Sequence, residues 1–527
     1  MPRKQTPSFI VELPLETSSD DERRLTDRFK CGARITNVMI QHARDTVTAL
    51  RDDSRWIAAR KLPKAEKEKA YANLRTEYGF TSSAFDARVA EHAKAAGFVG
   101  RIGSHELQMI AKQVFNSANQ WLFGIRGKPR FKGYRRPVHS LSGKNNTGML
   151  QWKADKRVLQ IEKGWQLNVV LPDLAKDEWL WSALEAPTKY CRVVWRNVRG
   201  ERRWYVQLVQ EGHTPLKASL LEKLASPDSV GGLDLGPSTL AWCTETSAGV
   251  VKLAAEVDRP AQLIRRLQRK IDRQRRVANP ANFKPDGTAK KGCRTWAKSA
   301  NQRTVETQLA NLHRQEAAIR KESHGRLVNR LLTQARHWKD DGVSPKALQK
   351  RYGKSVGTRA PGLLMSELTR KAERAGGSRT VINVWALKTS QYDHTTDDFA
   401  KKPLSQRWHL FRDGRGTVQR DVYSAFLAMQ SDGNTHNPFK LETAWAEMTT
   451  MLQVAGLCER YQEANEAGEV SSPLEYGSAS LPSELLPKSP SARSESRAVS
   501  VTPRGTTASG CLAVGTHLLQ GVERCQR

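Results

Sequence analysis

The chain has 527 residues, and its 86 Lys and Arg against 54 Asp and Glu give a formal charge of +32. This length suits roughly two to four domains, and because the basic residues are spread over the first 430 positions, nucleic acid is the expected partner. An anionic membrane is the rival partner, but the sequence has no run of about 18 apolar residues, no lipidation signal and no secretion signal, which favours a cytoplasmic, nucleoid-associated protein.

The first 225 residues alternate between strand-like and helix-like patterns. Residues 7–13 alternate and are β-branched, which predicts a strand, whereas residues 21–122 are rich in helix formers and predict a helical insertion. Short strands are then predicted at VLQIE (158–162), QLNVVLP (166–172), CRVVWR (191–196) and RWYVQLVQ (203–210). These patterns predict a β-barrel over residues 1–20 and 123–225, interrupted by the helical insertion. Its core is expected to include Trp152, Trp165 and Trp204.

Residues 226–432 predict a second, α/β domain. An apolar strand ends at Asp234, and two long helical stretches over 260–332 predict a helical hairpin with an apolar seam of Leu263, Leu267 and Ile271. The basic outer face of this hairpin has two interpretations that the sequence supports equally: a solvated surface, or a surface that binds the phosphates of a partner. A buried strand is predicted at 379–387 and a helix at 421–430. A short helical extension is predicted over 433–468, followed by a disordered, Ser- and Pro-rich tail over 469–527.

Three aspartates are candidates for chemistry. Asp234 ends a strand between small residues, Asp341 precedes a turn, and Asp421 begins a helix, where capping alone would explain it. Each has an ordinary structural explanation when taken singly. Carboxylates from distant segments that meet at one point would instead hold divalent metal, and paired Mg²⁺ ions can promote phosphodiester hydrolysis.

Two basic segments are expected to contact nucleic acid. The first mixes cations with aromatic rings, which suits phosphate contact combined with stacking. The alternative is a solvated loop whose rings dock on the barrel. The candidate residues of the first segment are Lys128, Arg130, Phe131, Lys132, Tyr134, Arg135 and Arg136. Those of the second segment are Arg265, Arg266, Arg269, Lys270 and Arg273, continued by Arg275 and Arg276.

Several motifs, in order over roughly residues 120–430, resemble the TnpB (OrfB-type) family of RNA-guided nucleases, ancestral to miniature type V CRISPR effectors. GLDLGPST around Asp234 resembles the first RuvC motif, and RGKPRFKGYRR (126–136) resembles the family's GxPRFK segment. Residues 346–377 and 401–428 resemble the segments that follow the second RuvC motif and contain the third.

The resemblance implies a multidomain α/β protein: a β-barrel wedge domain, a helical recognition insertion and a RuvC-like RNase H-fold domain over 226–432. It also implies a guide RNA and target DNA recognised beside a short adjacent motif. Asp234, Asp341 and Asp421 would be the catalytic residues and the ligands of two Mg²⁺ ions.

The sequence departs from the family's pattern at two places. Asp341 stands where the family has glutamate, and the loss of one methylene shortens the reach by about 1.5 Å. The zinc-ribbon cysteines are missing from residues 388–415, where Asp393, Thr396, Phe411 and Asp413 occupy their positions. His394 and His409 are expected to be ordinary surface histidines, and zinc is not expected. None of the seven cysteines forms a CxxC pair.

Three functions therefore remain open. The chain is an active RNA-guided DNA endonuclease, a nuclease-deficient relative that binds guide RNA and target DNA as a repressor or targeting module, or a basic RNA-binding protein without a guide. The sequence does not determine the oligomeric state.

Overall fold

The chain has two halves, a first with two small antiparallel sheets and a second centred on a five-stranded mixed sheet, and helices pack against the sheets of each half. The computed structural model describes residues 6–133, 136–173, 177–257, 260–292, 295–403 and 405–459. Tyr134, Arg135 and the predicted tail over 469–527 lie outside these described residues, as does the end of the predicted extension, residues 460–468.

The described residues of the first half form seven strands and seven α-helices. The strands are β1 (Ser8–Pro14), β2 (Ser140–Ser142), β3 (Gln151–Lys153), β4 (Val158–Glu162), β5 (Trp165–Asn168), β6 (Thr188–Val198) and β7 (Glu201–Glu211). The helices are α1 (Ser19–Asp52), α2 (Ser54–Ala59), α3 (Lys64–Glu77), α4 (Ser82–Ala95), α5 (Ser104–Leu122), α6 (Glu178–Glu185) and α7 (Ala218–Leu221).

The strands of the first half form two small antiparallel sheets. One has the order β1-β7-β6-β2 and the other the order β3-β4-β5. A bridge between Leu15 and Val169 joins the end of β1 to the chain just after β5. Trp152, Trp165 and Trp204 are buried in the shared core, as the sequence predicts. Among the described residues the strands do not close into a barrel, because no ladder of hydrogen bonds joins β2, which pairs with β6, to β3, which pairs with β4.

Helices α1 to α5 fill the segment where the sequence predicts an insertion. A capping box of Ser18 and Asp21 starts α1, which runs for 34 residues. Arg28 and Glu106 form a buried ion pair at 2.6 Å between α1 and α5, and Glu162 of β4 approaches the same guanidinium at 3.4 Å. The helices and the three-stranded sheet are therefore fixed to each other by buried charge as well as by apolar packing.

In the second half, the part that the structure describes forms ten strands and seven α-helices. The strands are β8 (Val230–Leu235), β9 (Thr239–Thr244), β10 (Ala248–Lys252), β11 (His337–Asp340), β12 (Ser378–Val381), β13 (Tyr392–Asp393), β14 (Asp398–Phe399), β15 (Trp408–Leu410), β16 (Thr417–Gln419) and β17 (Cys458–Glu459). The helices are α8 (Ala261–Ala278), α9 (Ala300–Leu332), α10 (Pro345–Arg359), α11 (Pro361–Arg374), α12 (Val384–Leu387), α13 (Arg420–Gln430) and α14 (Pro438–Val454).

A five-stranded mixed sheet with the order β10-β9-β8-β11-β12 forms the centre of this half. Strands β8, β9 and β10 are an antiparallel meander, whereas β11 runs parallel to both β8 and β12. Successive residues of β9 face opposite sides: Leu240 and Trp242 pack with α9 and α11, and Ala241 and Cys243 pack with α13 and α14. The sheet is therefore covered by helices on both faces.

Two sequence predictions in this half need correction. The strand predicted over 379–387 stops at Val381 and is followed by α12, and Val381 and Trp385 are 55% and 87% exposed because β12 is the edge of the sheet. In α8 the buried residues are Ile264 and Leu267, whereas Leu263 and Ile271 are only partly buried. In the described part of the chain, no helix is both long and apolar enough to cross a membrane.

Candidate functional site

Asp234 and Asp341 come together because β8 and β11 are parallel neighbours. Leu233 of β8 is in register with Asp340 of β11, so the next residue along each strand lies at the same edge of the sheet. Leu233 and Leu235 belong to the core on the α9 and α11 side, which places Asp234 between them on the α13 side.

Helix α13 carries Asp421 to the same place because glycine lets it lie directly on β8. A Cβ atom added to Gly232 would lie 1.8 Å from the carbonyl oxygen of Ala425 and 2.6 Å from the amide nitrogen of Met429. Gly231 is equally constrained on the other face, where an added Cβ would lie 2.5 Å from the Trp338 ring. The two glycines before the first acid therefore set the helix–strand spacing.

Helix capping does not explain Asp421. The N-cap of α13 is Gln419, whose Oε1 accepts the amide of Val422 at 2.7 Å. Asp421 lies in the first turn, where the helix dipole favours a negative charge, and its side chain is 18% exposed.

The three aspartates interact electrostatically. Burial and the nearby carboxylates of Asp341 and Asp421 raise the pKa of Asp234 well above its usual range. Burial also raises the pKa of Asp341, to about 6. The positive charge close to them is Arg420, whose Nη2 lies 3.1 Å from Asp421 Oδ1 and whose Nη1 donates to the carbonyl of Gln406 at 3.0 Å. Arg420 therefore offsets negative charge at Asp421 and Asp234, whereas Arg379 is the cation that acts on Asp341.

The neighbouring acid, Asp340, has a different and structural role. It is buried, accepts the amide of Gly342 at 2.7 Å and is held by Arg379, whose Nη2 lies 2.8 Å from its Oδ1. Asp341 accepts a longer bond from the amide of Val343, at 3.3 Å. The sequence contains two adjacent aspartates here, and the ion pair with Arg379 distinguishes the structural one from the one that faces Asp234.

The donor chemistry of the three aspartates suits Mg²⁺, since carboxylate oxygens are hard ligands and an excess of buried negative charge is relieved by a divalent cation. As the side chains stand, however, no three His, Cys, Asp or Glu residues of the described segments are grouped closely enough to ligate one ion. Because Arg420 forms an ion pair with Asp421, this pair would have to separate before Asp421 could bind a metal ion. The catalytic and metal-ligand roles of Asp234, Asp341 and Asp421 therefore stay predictions.

The segment that lacks the ribbon cysteines forms a buried polar and aromatic cluster. His394 and His409 are only 3% and 1% exposed, so the expectation of surface histidines is wrong. The hydroxyl of Tyr423 on α13 lies 2.7 Å from His394 Nδ1, and the His409 ring stacks on the Tyr423 ring at 4.5 Å. Asp393 lies 3.4 Å from His409 Nε2. The sequence missed this burial because α13 and α14, which supply the cover, are distant in the chain.

The first basic segment is a loop fixed by its backbone, with its charged side chains outside. Asn37 of α1 accepts the amide of Lys132 at 2.7 Å and donates to its carbonyl at 2.9 Å. Arg44 stacks on the Phe131 ring at 4.0 Å, so this ring packs on α1 rather than on the strands. The cations Lys128, Arg130, Lys132 and Arg136 are exposed beside a cleft of about 320 Å³ between the loop, α1 and α5.

The second basic segment lies along α8. Arg265, Arg266, Arg269, Lys270 and Arg273 are all exposed, and none has an ion-pair partner within the described part of the chain. Arg276 differs, since it pairs with Asp272 at 3.0 Å, and the Arg275 guanidinium stacks on the Trp296 ring at 3.8 Å. Five uncompensated cations on one helix suit a partner phosphate backbone, which is a prediction for this helix.

Comparisons with known proteins do not identify the chain. No protein-family model matches it, and no curated protein matches it. Solved structures that overlap it include a Cas12f1–sgRNA–target DNA complex, at 11% identity and a TM-score of 0.38, covering 81% of this chain and 99% of that one. A CRISPR–Cas12f ternary complex overlaps at 11% identity and a TM-score of 0.26, covering 80% of this chain and 87% of that one. Both TM-scores are too low to support a shared fold or function.

Proposed function

We propose that this chain is an RNA-guided DNA-binding protein whose second half is a RuvC-like, RNase H-type nuclease domain. The observation that carries the proposal is that Asp234, beside the register of β8 with β11, interacts electrostatically with Asp341 and Asp421 from two distant segments. The order of TnpB-like motifs in the sequence and the exposed cations of the 126–136 loop and α8 support the same proposal.

Asp234, Asp341 and Asp421 would hold Mg²⁺ in this proposal, with Asp421 released from Arg420. The bound ions would supply a water nucleophile activated at neutral pH and a counter-charge for the leaving oxygen. The chain's own contribution is positional: the parallel register of β8 and β11 fixes two carboxylates, and the close packing of α13 on Gly232 fixes the third. When no metal ion is bound, Arg420 offsets part of the negative charge of the three carboxylates by pairing with Asp421.

The test begins with the RNA that co-purifies with the full-length chain. A single defined RNA, derived from a transposon edge or from a repeat array, is expected, and a DNA duplex matched to it is expected to be cut in the presence of Mg²⁺. Asp234→Asn keeps the side chain's shape and is expected to abolish cutting while RNA remains bound. The matched control is Asp272→Asn on α8, which removes an exposed carboxylate from outside the site and is expected to cut normally.

A nuclease-deficient RNA-guided DNA binder is the second candidate, and two observations favour it. Asp341 is shorter than the glutamate of the resembling family, and Arg420 is paired with Asp421. If the wild type binds its matched duplex but leaves it uncut over a wide range of Mg²⁺ concentrations, this second function replaces the first. Asp341→Glu, which restores the longer acid, is then the variant expected to gain cleavage.

A non-guided basic RNA-binding protein gives a third and different result. In that case the co-purified RNA is bulk ribosomal RNA, and no matched duplex is bound. This outcome would overturn both guided functions together.

A further inference from the structure

A large cleft lies at the tip of the α8–α9 hairpin, and none of the three aspartates lines it. Its volume is about 1260 Å³, larger than the roughly 300–1,000 Å³ typical of a site for one small molecule. The residues that line it are Ile271, Arg275, Ala289, Gly292, Trp296, Ala297, Lys298, Gln302, Arg303 and Glu306. A cleft of this size suits a segment of a polymer better than a single metabolite.

The backbone around this cleft is held in place by the side chain of Asn279, at the end of α8. Its Nδ2 donates to the carbonyl of Arg275 at 3.0 Å and to that of Ala297 at 2.9 Å, and its Oδ1 accepts the amide of Ala297 at 2.7 Å. Ser299 caps α9 immediately afterwards by accepting the amide of Gln302 at 3.1 Å. The described walls of the cleft are therefore built by specific hydrogen bonds.

The cleft combines an aromatic ring with cations. Trp296 is partly exposed, and the Arg275 guanidinium stacks over it at 3.8 Å. Arg303 is exposed and has no ion-pair partner in the described residues, whereas Lys298 and Glu306 pair with each other at 2.5 Å. An indole ring beside a guanidinium and a second free cation is the combination that stacks a base and contacts its phosphate.

Gln302 adds an observation that points to a ligand. Gln302 lines the cleft but is only 2% exposed, its Nε2 donates to Glu306 Oε1 at 2.8 Å, and its Oε1 is buried with no hydrogen-bond partner. A buried amide oxygen without a donor is destabilising, because it has lost its hydrogen bonds to water and gained none in return. An exocyclic amino group of a nucleobase is a donor of the size and shape that would satisfy it.

We infer that this cleft, here named the hairpin-tip cleft, binds unpaired nucleotides of the bound RNA. One base stacks at Trp296 and donates to Gln302 Oε1, and Arg303 contacts the adjoining phosphate. The inference rests on the proposed function for the presence of RNA, and it extends that function by assigning single-stranded nucleotides to the tip of the hairpin.

The test measures binding of the full-length chain to a fluorescein-labelled oligo(A) of about ten nucleotides by anisotropy, over a series of salt concentrations. Trp296→Ala is expected to weaken binding roughly tenfold without changing the salt dependence, because stacking releases no counterions. Arg303→Gln is expected to reduce the slope of log affinity against log salt by about 0.7. Gln302→Met is expected to weaken binding while leaving the unfolding midpoint unchanged or higher, since it removes an unsatisfied polar group.

The matched control is Trp385→Ala, which removes a highly exposed tryptophan from α12 and is expected to leave RNA affinity unchanged. Wild-type binding that is insensitive to Trp296→Ala overturns the inference and leaves the proposed function standing. Equal competition by a polyglutamate peptide also overturns it, since the cleft would then be a site for acidic peptides. If the wild type binds no RNA of any kind, the proposed function falls, and the inference falls with it.

Discussion

Replacing Gly232 with alanine tests whether the packing of α13 on β8 positions the candidate acids. The added Cβ would lie 1.8 Å from the carbonyl oxygen of Ala425, and even an unusually close contact requires 3.0 Å. Because the obstacle is backbone, no side-chain rotation relieves it, and α13 must retreat from β8 by more than about 1 Å. Asp421 moves with the helix while Asp234 stays on the strand.

Two magnitudes follow from this displacement. Overpacking of a core costs about 1–3 kcal/mol, and a clash with backbone belongs at the upper end of that range. A misplacement near 1 Å in a catalytic group lowers the rate about a hundredfold. We therefore expect Gly232→Ala to lower the free energy of unfolding by about 3 kcal/mol in a urea titration, and to lower Mg²⁺-dependent cleavage at least about a hundredfold, with the co-purified RNA retained.

The matched control is Gly357→Ala in α10. No atom lies within 4 Å of the position that its Cβ would take, and alanine in a helix is favoured over glycine by about 0.5–1 kcal/mol. The control is expected to be neutral or slightly stabilising. If Gly232→Ala unfolds at the same urea concentration as the control and cuts DNA as fast, then the packing of α13 on Gly232 does not position Asp421.

Three further predictions concern charge. Arg420→Gln is expected to tighten Mg²⁺ binding roughly fivefold in a calorimetric titration, since the guanidinium competes with the cation for Asp421. Burial lowers the pKa of His394 to about 4, below its usual value near 6.5, so the unfolded state binds the proton first as the pH falls. Stability should therefore drop by about 3 kcal/mol between about pH 6.5 and 4, and His394→Gln should remove much of this drop in urea titrations at several pH values. Lys132→Gln with Arg136→Gln is expected to weaken RNA binding and to lower its salt dependence, measured by anisotropy.

Each of these three predictions has a contradicting result. Unchanged or weaker Mg²⁺ affinity in Arg420→Gln would mean that the guanidinium supports the site rather than competing for it. An equal acid-induced loss of stability in His394→Gln would place the titrating group elsewhere. An RNA salt slope that the double substitution leaves intact would show that the loop contacts no phosphate.

Local patterns in the sequence predicted many of the elements. The alternation in residues 7–13 corresponds to β1, VLQIE is β4, and the apolar spacing of 421–430 corresponds to α13. These predictions succeed because alternation and helical spacing depend on neighbours in the chain. Barrel closure is not encoded in this way, since it depends on hydrogen bonds between strands far apart in sequence.

The sequence proposes the three aspartates as a set, and this stays a prediction, but it does not determine their geometry. Adjacent aspartates at 340 and 341 have the same local chemistry, and the partner that distinguishes them, Arg379, lies on a different strand. His394 was likewise misjudged because its cover comes from Tyr423 and Trp445 on later helices. No single segment of the sequence predicts the hairpin-tip cleft, because α8, the following loop and α9 each supply some of its lining residues.

Helix α9 connects the hairpin-tip cleft to the segment that leads into β11. It runs for 33 residues, about 50 Å, from the hairpin-tip cleft to within five residues of β11, the strand that leads into Asp341. Part-way along, the side chain of Asn311 accepts the amide of Arg199 at 3.1 Å, so the turn between β6 and β7 is hydrogen-bonded to the helix. One continuous helix therefore joins the wall of the hairpin-tip cleft, the turn between β6 and β7 and the approach to Asp341.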